Sequence, residues 1–386
     1  MRLASFNADD SWMQHALGLA AKGRGSVEPN PMVGCVIVRD GKFIGEGYHM
    51  SFGGPHAEPN ALAECRATQN SAAGATAYVT LEPCSHTDKK TPPCVPALIA
   101  AKLARVVIGC LDPNPNVAGQ GVEQLKAAGI ETVVGVLKHH AMQLNAAYFA
   151  RTLHHRPYVT LKWAESADGK VAGPGGARRA ISNHRTMRVM HALRARCDAI
   201  LVGIRTAITD DPVLLARLGN PMRQPLRVVL DSQLDLPVNG ALAITAHNSP
   251  VLVYCSASAY AAKSNKLVLL RRQEVEVAPL AGEANHLELQ AVLADLCRRN
   301  VTHLLIEPGP NLARAFLHHN LADRLWVQRS PMRIGDATAP TAERVDYPAI
   351  AEVNLDDDVL TEYLNPASDV YFSPDASADL DIAAET

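Results

Sequence analysis

His56-Ala57-Glu58 is followed by Pro83-Cys84 and then by Pro92-Pro93-Cys94. One imidazole and two thiols, His56, Cys84 and Cys94, make a three-ligand donor set. A catalytic zinc wants three protein ligands and a fourth position open to water. Zinc lowers the pKa of that water to about 7, which makes hydroxide available near neutrality. Glu58 stands two residues past the histidine and projects from the same first helical turn without needing a place on the metal. It can take a proton from the water and pass it to a leaving group. Singly, each of the three ligands also reads as an ordinary buried residue; the pattern is carried by their joint spacing.

The surrounding elements must bring these residues together. Met32–His49 reads as a hairpin, with Asp40-Gly41 as its tight turn. His56–Ala67 has helical spacing, and Pro59 is tolerated in a first turn whose N–H groups have no intrahelical partners. Cys84 and Cys94 each precede a turn or helix-like segment, whose positive end favours thiolates. Strand-like and helix-like runs alternate over Ala77–Leu81, Ala97–Leu103, Arg105–Leu111, Gly121–Ala128 and Glu131–Val136, the pattern of a layered α/β domain. A chain of 386 residues is long enough for two domains, and the polar stretch Arg151–Arg156 before Pro157 is the expected boundary. A second alternating series runs through Tyr158–Trp163, Ala199–Val202, Leu226–Leu230, Val251–Tyr254 and His303–Glu307. The expected organisation is residues 1–152, residues 157–365, and an acidic tail at 366–386.

Apolar residues make up 47% and charged residues 20%, as in a globular enzyme. A net charge of -2 without a long basic run leaves no footprint for nucleic acid. No apolar run approaches membrane-spanning length, and residues 1–10 lack a signal-peptide core. Eight scattered cysteines fit a reducing cytoplasm, where some can serve as metal ligands. A homo-oligomer is left open.

His-x-Glu followed by two Pro-Cys pairs resembles the zinc nucleobase deaminases. The resemblance narrows with Asn30-Pro31-Met32-Val33-Gly34-Cys35-Val36, Gly45-Glu46-Gly47-Tyr48-His49, Pro55-His56-Ala57-Glu58, Leu81-Glu82-Pro83-Cys84-Ser85-His86, Thr91-Pro92-Pro93-Cys94 and Asp112-Pro113-Asn114-Pro115. These look like the bifunctional riboflavin-biosynthesis deaminase/reductase family. Polynucleotide deaminases usually close with Cys-x-x-Cys, and the wide Cys84–Cys94 spacing favours the riboflavin branch. The resemblance implies a three-layer cytidine-deaminase-like zinc domain and a phosphoribosylaminopyrimidine substrate. It places Asn30 and Asn60 at the pyrimidine edge and His86 and Lys90 at the ribosyl phosphate. Lys89-Lys90, in a loop one residue longer than the family's, fits equally a solvated surface pair.

Tyr158–Ala164, Ser166-x-Asp168-Gly169-Lys170, Leu193-Arg194-Ala195, Asp198–Gly203, Thr206, Asp210-Asp211-Pro212 and Arg227–Ser232 resemble the reductase half of that family. The implied fold is dihydrofolate-reductase-like and the implied cofactor NADPH; no Gly-x-Gly-x-x-Gly supports a Rossmann site. Cofactor contacts are implied at Ala164, Ala180, Thr206, Asp210, Ser232, Gly309, Pro310 and Asn311, and substrate contacts at Arg178, Arg194, Leu214, Arg217 and Glu307. Arg194 and Arg217 suit a phosphate because a guanidinium fork matches its oxygens. Glu307–Ala315 corresponds to a phosphate-binding strand-to-helix turn. Asp211-Pro212 also fits a simple helix end. Three departures stand out: Pro308 where the family has glycine, Arg178-Arg179-Ala180 where it has Ser-x-Trp, and no recognisable apolar strand after Ile334-Gly335. They motivate an alternative, a deaminase whose second domain no longer reduces. A base deaminase of nucleic acid and a non-catalytic binding protein fit less well, given the charge and Glu58.

Overall fold

The computed structural model describes residues 8–86, 91–115, 117–217, 224–280, 287–368 and 370. The chain divides into two compact units, residues 1–154 and 155–386. Of the expected acidic tail, only 366–368 and 370 fall among the described residues.

In the first unit, α1 (Ala8–Ala21) precedes a hairpin of β1 (Gly34–Arg39) and β2 (Lys42–Tyr48). It turns at Asp40-Gly41, both at positive φ (52° and 70°), the geometry an Asp-Gly pair favours. Then come α2 (Ala57–Ala67), β3 (Thr76–Leu81), α3 (Cys94–Ala100), β4 (Arg105–Cys110), α4 (Gln120–Ala127), β5 (Glu131–Val134), α5 (Lys138–Leu144) and α6 (Ala146–His154). Among the described residues the strands form one sheet in the order β2-β1-β3-β4-β5. β1 is antiparallel to both neighbours, while β3, β4 and β5 run parallel. Alternate residues of a strand face opposite ways, and β1 shows both sides. Gly34 opens onto α1, where a Cβ would stand 2.0 Å from the Ala16 carbonyl oxygen. Cys35 joins the core that holds Ala57, Ala61 and Leu62 of α2. The result is three layers, helix–sheet–helix.

The second unit contains β6 (Tyr158–Glu165), α7 (His184–Arg196), β7 (Ala199–Gly203), α8 (Ile204–Asp210), β8 (Leu226–Leu230), α9 (Ala241–Ile244) and β9 (Val251–Ser256). These are followed by α10 (Ala257–Ala262), α11 (Ser264–Arg272), β10 (Val275–Leu280), α12 (Leu289–Arg298), β11 (His303–Ile306), α13 (Pro310–His318), β12 (Arg324–Arg329), β13 (Ala349–Leu355) and β14 (Asp358–Leu364). Among the described residues the sheet order is β10-β9-β8-β7-β11-β6-β12-β14-β13, parallel from β10 to β12 and antiparallel at β14 and β13. Helices cover both faces: Ile200, Val202 and Val229 pack with α7 and α9, whereas Ala199, Leu201 and Val228 pack with α12 and α13.

The strand not recognisable after Ile334-Gly335 is the β13–β14 hairpin. Its inward positions on β14 are Asp358, Leu360, Glu362 and Leu364. Two of the four are acids, so the apolar alternation that signals a strand is broken. Both acids are held: Asp358 accepts from Thr186, Asn183 and Gln328, and Glu362 pairs with Arg324. Among the described residues no helix is long and apolar enough to cross a membrane.

One packing constraint carries directly to the site. A Cβ at Gly47 would lie 2.4 Å from the Ala61 nitrogen and 2.6 Å from the Ala57 oxygen, so β2 must be bare there for α2 to seat. Gly47→Ala is expected to cost the first unit about 1–3 kcal/mol of overpacking, read as faster hydrogen exchange at core amides of β1 and α2. Unchanged exchange would contradict this close approach.

Candidate functional site

His56 caps the N-terminus of α2, Cys84 lies just beyond β3, and Cys94 opens α3. The His56 Nδ1 stands 3.5 Å from the Cys84 Sγ and 3.4 Å from the Cys94 Sγ. All three donor atoms lie within 4.8 Å of one another. A tetrahedral zinc with ordinary Zn–N and Zn–S lengths places nitrogen and sulfur about 3.5 Å apart. The donor set therefore fits zinc in both chemistry and size.

The surroundings orient those donors. Thr91 Oγ1 lies 3.1 Å from His56 Nε2, occupying the ring nitrogen that faces away from the sulfurs. The Cys94 amide donates to the Cys84 sulfur at 3.4 Å and to the Cys84 carbonyl at 3.0 Å. Hydrogen bonds of this kind fix ligand orientation. Cys94's thiol is pushed up, first by its hydrogen bond with Cys84 and then by burial. A cation between the sulfurs would remove that cost. Glu58 is 2% exposed, and its Oε2 has no partner among the described residues. Burial, then the neighbouring Cys84, raises its carboxyl above the usual range.

His56, Glu58 and Cys84 line a cavity of about 420 Å³ together with Asn30, His49, Phe52, Glu82, His86, Thr91, Asp112, Asn114, Tyr148 and Arg151. Of the residues expected at the substrate, Asn30 and His86 face it. Asn30 donates its amide to His49 Nε2 (3.3 Å), and His49 Nδ1 donates to the Pro55 carbonyl (3.0 Å). Burial lowers the His49 pKa, keeping the ring neutral so that Nε2 can accept. His86 has a buried Nδ1 without a partner among the described residues. Asn60 does not line the cavity: its amide donates to the Tyr48 carbonyl at 2.8 Å and ties α2 to β2. Lys90 lies outside the described residues.

On the far wall of this cavity, Asp112 and Asn114 belong to a motif already singled out but given no role, and the residues of α6 were missed. Asp112 accepts from the Tyr148 hydroxyl (3.0 Å) and the Asn114 amide (2.8 Å). Tyr148 and Arg151 come from α6, remote in sequence, and no local pattern marks them. Glu82 was legible only as part of a motif. Its carboxylate accepts from the amides of Asp112 (3.3 Å), Gly119 (2.9 Å), Gly121 (2.9 Å) and Val122 (3.4 Å).

In the second unit the expected residues gather where parallel strands end. Ala164 is near the end of β6, Thr206 follows β7 on α8, Ser232 follows β8, and Glu307–Asn311 link β11 to α13. Ligands of open α/β sheets bind at such carboxyl ends. Gly309 caps α13 and Pro310 takes its first turn, where a missing N–H costs nothing. A Cβ at Gly309 would be 3.9 Å from Thr206 Oγ1, so this turn and that hydroxyl border one space. Helix N-terminal amides beside a hydroxyl suit a dinucleotide's phosphates.

Arg194 sits on α7 and grips Glu307 bidentately, Nε to Oε1 at 2.7 Å and Nη2 to Oε2 at 2.8 Å. Its expected phosphate-binding fork is thus engaged by a carboxylate. Half-buried Lys162 lies beside this pair; desolvation lowers its pKa against the pull of Glu307. Arg217 is exposed on the same side, close enough to depress His191. Leu214 is 2% exposed, with φ +54°. Arg178, Arg179 and Ala180 are exposed, and Arg178 reaches the Asp210 carbonyl at 3.4 Å.

A three-donor site that fits zinc beside a buried carboxyl group, on a helix–sheet–helix unit, is the arrangement of a hydrolytic deaminase domain. Residues 6–110 match the cytidine and deoxycytidylate deaminase zinc-binding region, and residues 157–360 match the RibD C-terminal domain. The riboflavin biosynthesis protein RibD of Aquifex aeolicus (strain VF5) is 40% identical over 328 residues, covering 85% of this chain and 88% of that protein. Its counterpart in Escherichia coli (strain K12) is 38% identical over 340 residues, covering 85% and 89%. The crystal structure of a diaminohydroxyphosphoribosylaminopyrimidine deaminase/5-amino-6-(5-phosphoribosylamino)uracil reductase from Thermotoga maritima is 33% identical with a TM-score of 0.80, over 92% of this chain and 98% of that one. The chain belongs to the RibD family of bifunctional deaminase/reductases of riboflavin biosynthesis. Its two domains imply zinc and a nicotinamide cofactor.

The geometry leads to one zinc per chain. Metal analysis of Cys84→Ser combined with Cys94→Ser should show that zinc lost, and retention of it would remove these residues from the site.

Proposed function

We propose that residues 1–152 deaminate 2,5-diamino-6-(5-phosphoribosylamino)pyrimidin-4(3H)-one and that residues 157–365 use NADPH to reduce the ribosyl chain of the product to ribityl. The observation that carries the first half is the pair of 3.4 and 3.5 Å separations from His56 Nδ1 to the two sulfurs, with the buried Glu58 beside them. Zinc, when bound by His56, Cys84 and Cys94, makes water a nucleophile near neutral pH. Glu58 takes a proton from that water and returns one to the exocyclic amine, so water enters and ammonia leaves. Its burial and raised pKa suit a group that must carry a proton in both directions. Asn30, held by His49, reads the pyrimidine edge. His86 and Lys90 meet the phosphate. A reducing cytoplasm keeps both thiol ligands available.

For the second half, NADPH, when bound, would supply a hydride to C1 of the opened ribose, with a proton from solvent completing the gain of two hydrogens. The α13 first turn at Gly309, Pro310 and Asn311 holds cofactor phosphates, with Thr206, Ser232, Ala164, Asp210 and Ala180 around it. Glu307, fixed by Arg194, faces the substrate. Exposed Arg217 is the better-placed phosphate cation, because Arg194 is already gripped. Arg178 completes the substrate side, and Leu214, packed in the core, backs it.

Glu58→Gln should slow ammonia release by about 10²–10⁴-fold with zinc content unchanged. A rate within threefold of wild type would end that role. For the cofactor, titration should show NADPH bound more tightly than NADH. Pro308→Gly should tighten NADPH by about tenfold to a hundredfold by restoring a donor, and Ala180→Trp should also tighten it by restoring a stacking face. Equal affinity for the two cofactors would contradict the preference, and complete absence of binding would favour a second domain that no longer reduces.

A further inference from the structure

Arg227, on β8, is fully buried, and no carboxylate is among its hydrogen-bond acceptors. Its Nη1 donates to the Val213 carbonyl at 3.0 Å and to Thr245 Oγ1 at 2.7 Å. Its Nη2 donates to the Thr245 carbonyl at 2.9 Å and to the Ser249 carbonyl. Burying a cation without a counter-charge is costly, and here burial lowers the pKa to about 10 while leaving the group protonated at neutral pH. The acceptors lie in two separate stretches: the segment around Val213, and the turn that leaves α9 at Thr245–Ser249. Arg227 joins them.

The first stretch needs holding. Residues 211–217 form neither helix nor strand. Asp211 and Leu214 both lie at positive φ, 40° and 54°, a region that costs non-glycine residues energy and persists only where the surroundings impose it. The restraints on this segment are distributed along it. Asp211 Oδ1 accepts from the Ala241 amide at 2.7 Å, tying it to the start of α9. Ala216 exchanges two hydrogen bonds with the Gln224 side chain, at 3.0 and 3.1 Å. Arg194, while gripping Glu307, reaches the Leu215 carbonyl at 3.4 Å. Only Arg227 reaches Val213, immediately before the strained Leu214, among the described side chains.

We propose that Arg227 is a positioning residue for the reductase half: it holds the Val213–Arg217 segment so that Leu214 packs in the core behind it and Arg217 stands at the substrate. Arg227 itself touches neither substrate nor cofactor. This rests on the reductase reading above, which assigns Arg217 to the substrate side with Leu214 behind it.

The test uses the full-length, zinc-loaded chain with Arg227→Ala and Arg227→Lys. Arg227→Ala should raise the reductase KM for the deaminated substrate about 10- to 100-fold, while kcat changes by less than about threefold. Ammonia release by the first unit should stay at the wild-type rate. Arg227→Lys, which can keep one or two of the four hydrogen bonds, should fall between. Millimolar free guanidinium, far below denaturing levels, should recover much of the lost KM in Arg227→Ala by refilling the cavity. Hydrogen exchange should quicken at 211–217 and 241–249 and remain unchanged in β6 and β11. An unchanged KM, a fall confined to kcat, absence of guanidinium rescue, or loosening spread through the whole sheet would each overturn the proposal. A wild-type chain that oxidises no NADPH would defeat the underlying reductase reading instead, and hydrogen exchange would still decide whether Arg227 holds the segment.

Discussion

Four backbone amides converge on the Glu82 carboxylate, and the geometry of the first unit's cavity depends on that convergence. An ionised carboxyl is tolerated out of water when several N–H donors replace its hydration. Here the donors are Asp112, Gly119, Gly121 and Val122, so one side chain at the end of β3 gathers the loop after β4 and the first turn of α4. Two residues later the chain delivers Cys84. The wall bearing Asp112 and Asn114 and the thiol ligand are thereby placed from one anchor. Gly121 makes the approach feasible, since a Cβ there would stand 2.2 Å from the Pro83 carbonyl oxygen. On the opposite side, the bare backbone at Gly47 lets α2 bring His56 and Glu58 down to meet the sulfurs. The candidate metal centre is thus built from two close backbone approaches and one buried carboxyl group.

The second unit solves a related problem with different means. Its parallel strands end beside one another, and the charges there are paired across elements: Arg194 of α7 with Glu307 after β11, with Lys162 of β6 alongside. Charged groups held in a poorly solvated space cluster at functional sites. The segment proposed to complete the site is irregular and strained, and side chains from β8 and α7 and Gln224 restrain it.

Much of the first site was legible in the sequence because its parts are local. His56 and Glu58 share a helical turn, and Cys84 and Cys94 follow strand and proline signals, so residue types and spacing suffice. The α6 part of the cavity's far wall was not legible: Tyr148 and Arg151 reach it from α6, and no short-range pattern says that a helix more than fifty residues past Cys84 will line the cavity. Asn60 shows the opposite failure, a polar residue near the motif whose amide is used to hold β2. The β13–β14 hairpin escaped because Asp358 and Glu362 occupy inward positions, and buried acids with partners look from sequence like solvent-facing ones. Arg227 escaped for the same reason: a buried arginine that organises carbonyls cannot be told from an exposed one without knowing what surrounds it.

The central claim is that one chain performs hydrolytic deamination at the His56–Cys84–Cys94 centre and then reduction at the carboxyl edge of the second sheet. The most direct measurement is mass spectrometry of the products formed from the diaminopyrimidine substrate by the purified protein, with and without NADPH. Without NADPH the account predicts a product in which one amine has been exchanged for oxygen and the ribosyl chain is intact. With NADPH it predicts the same exchange plus the gain of two hydrogens on that chain. Unaltered substrate, or reduction without the amine exchange, would contradict it.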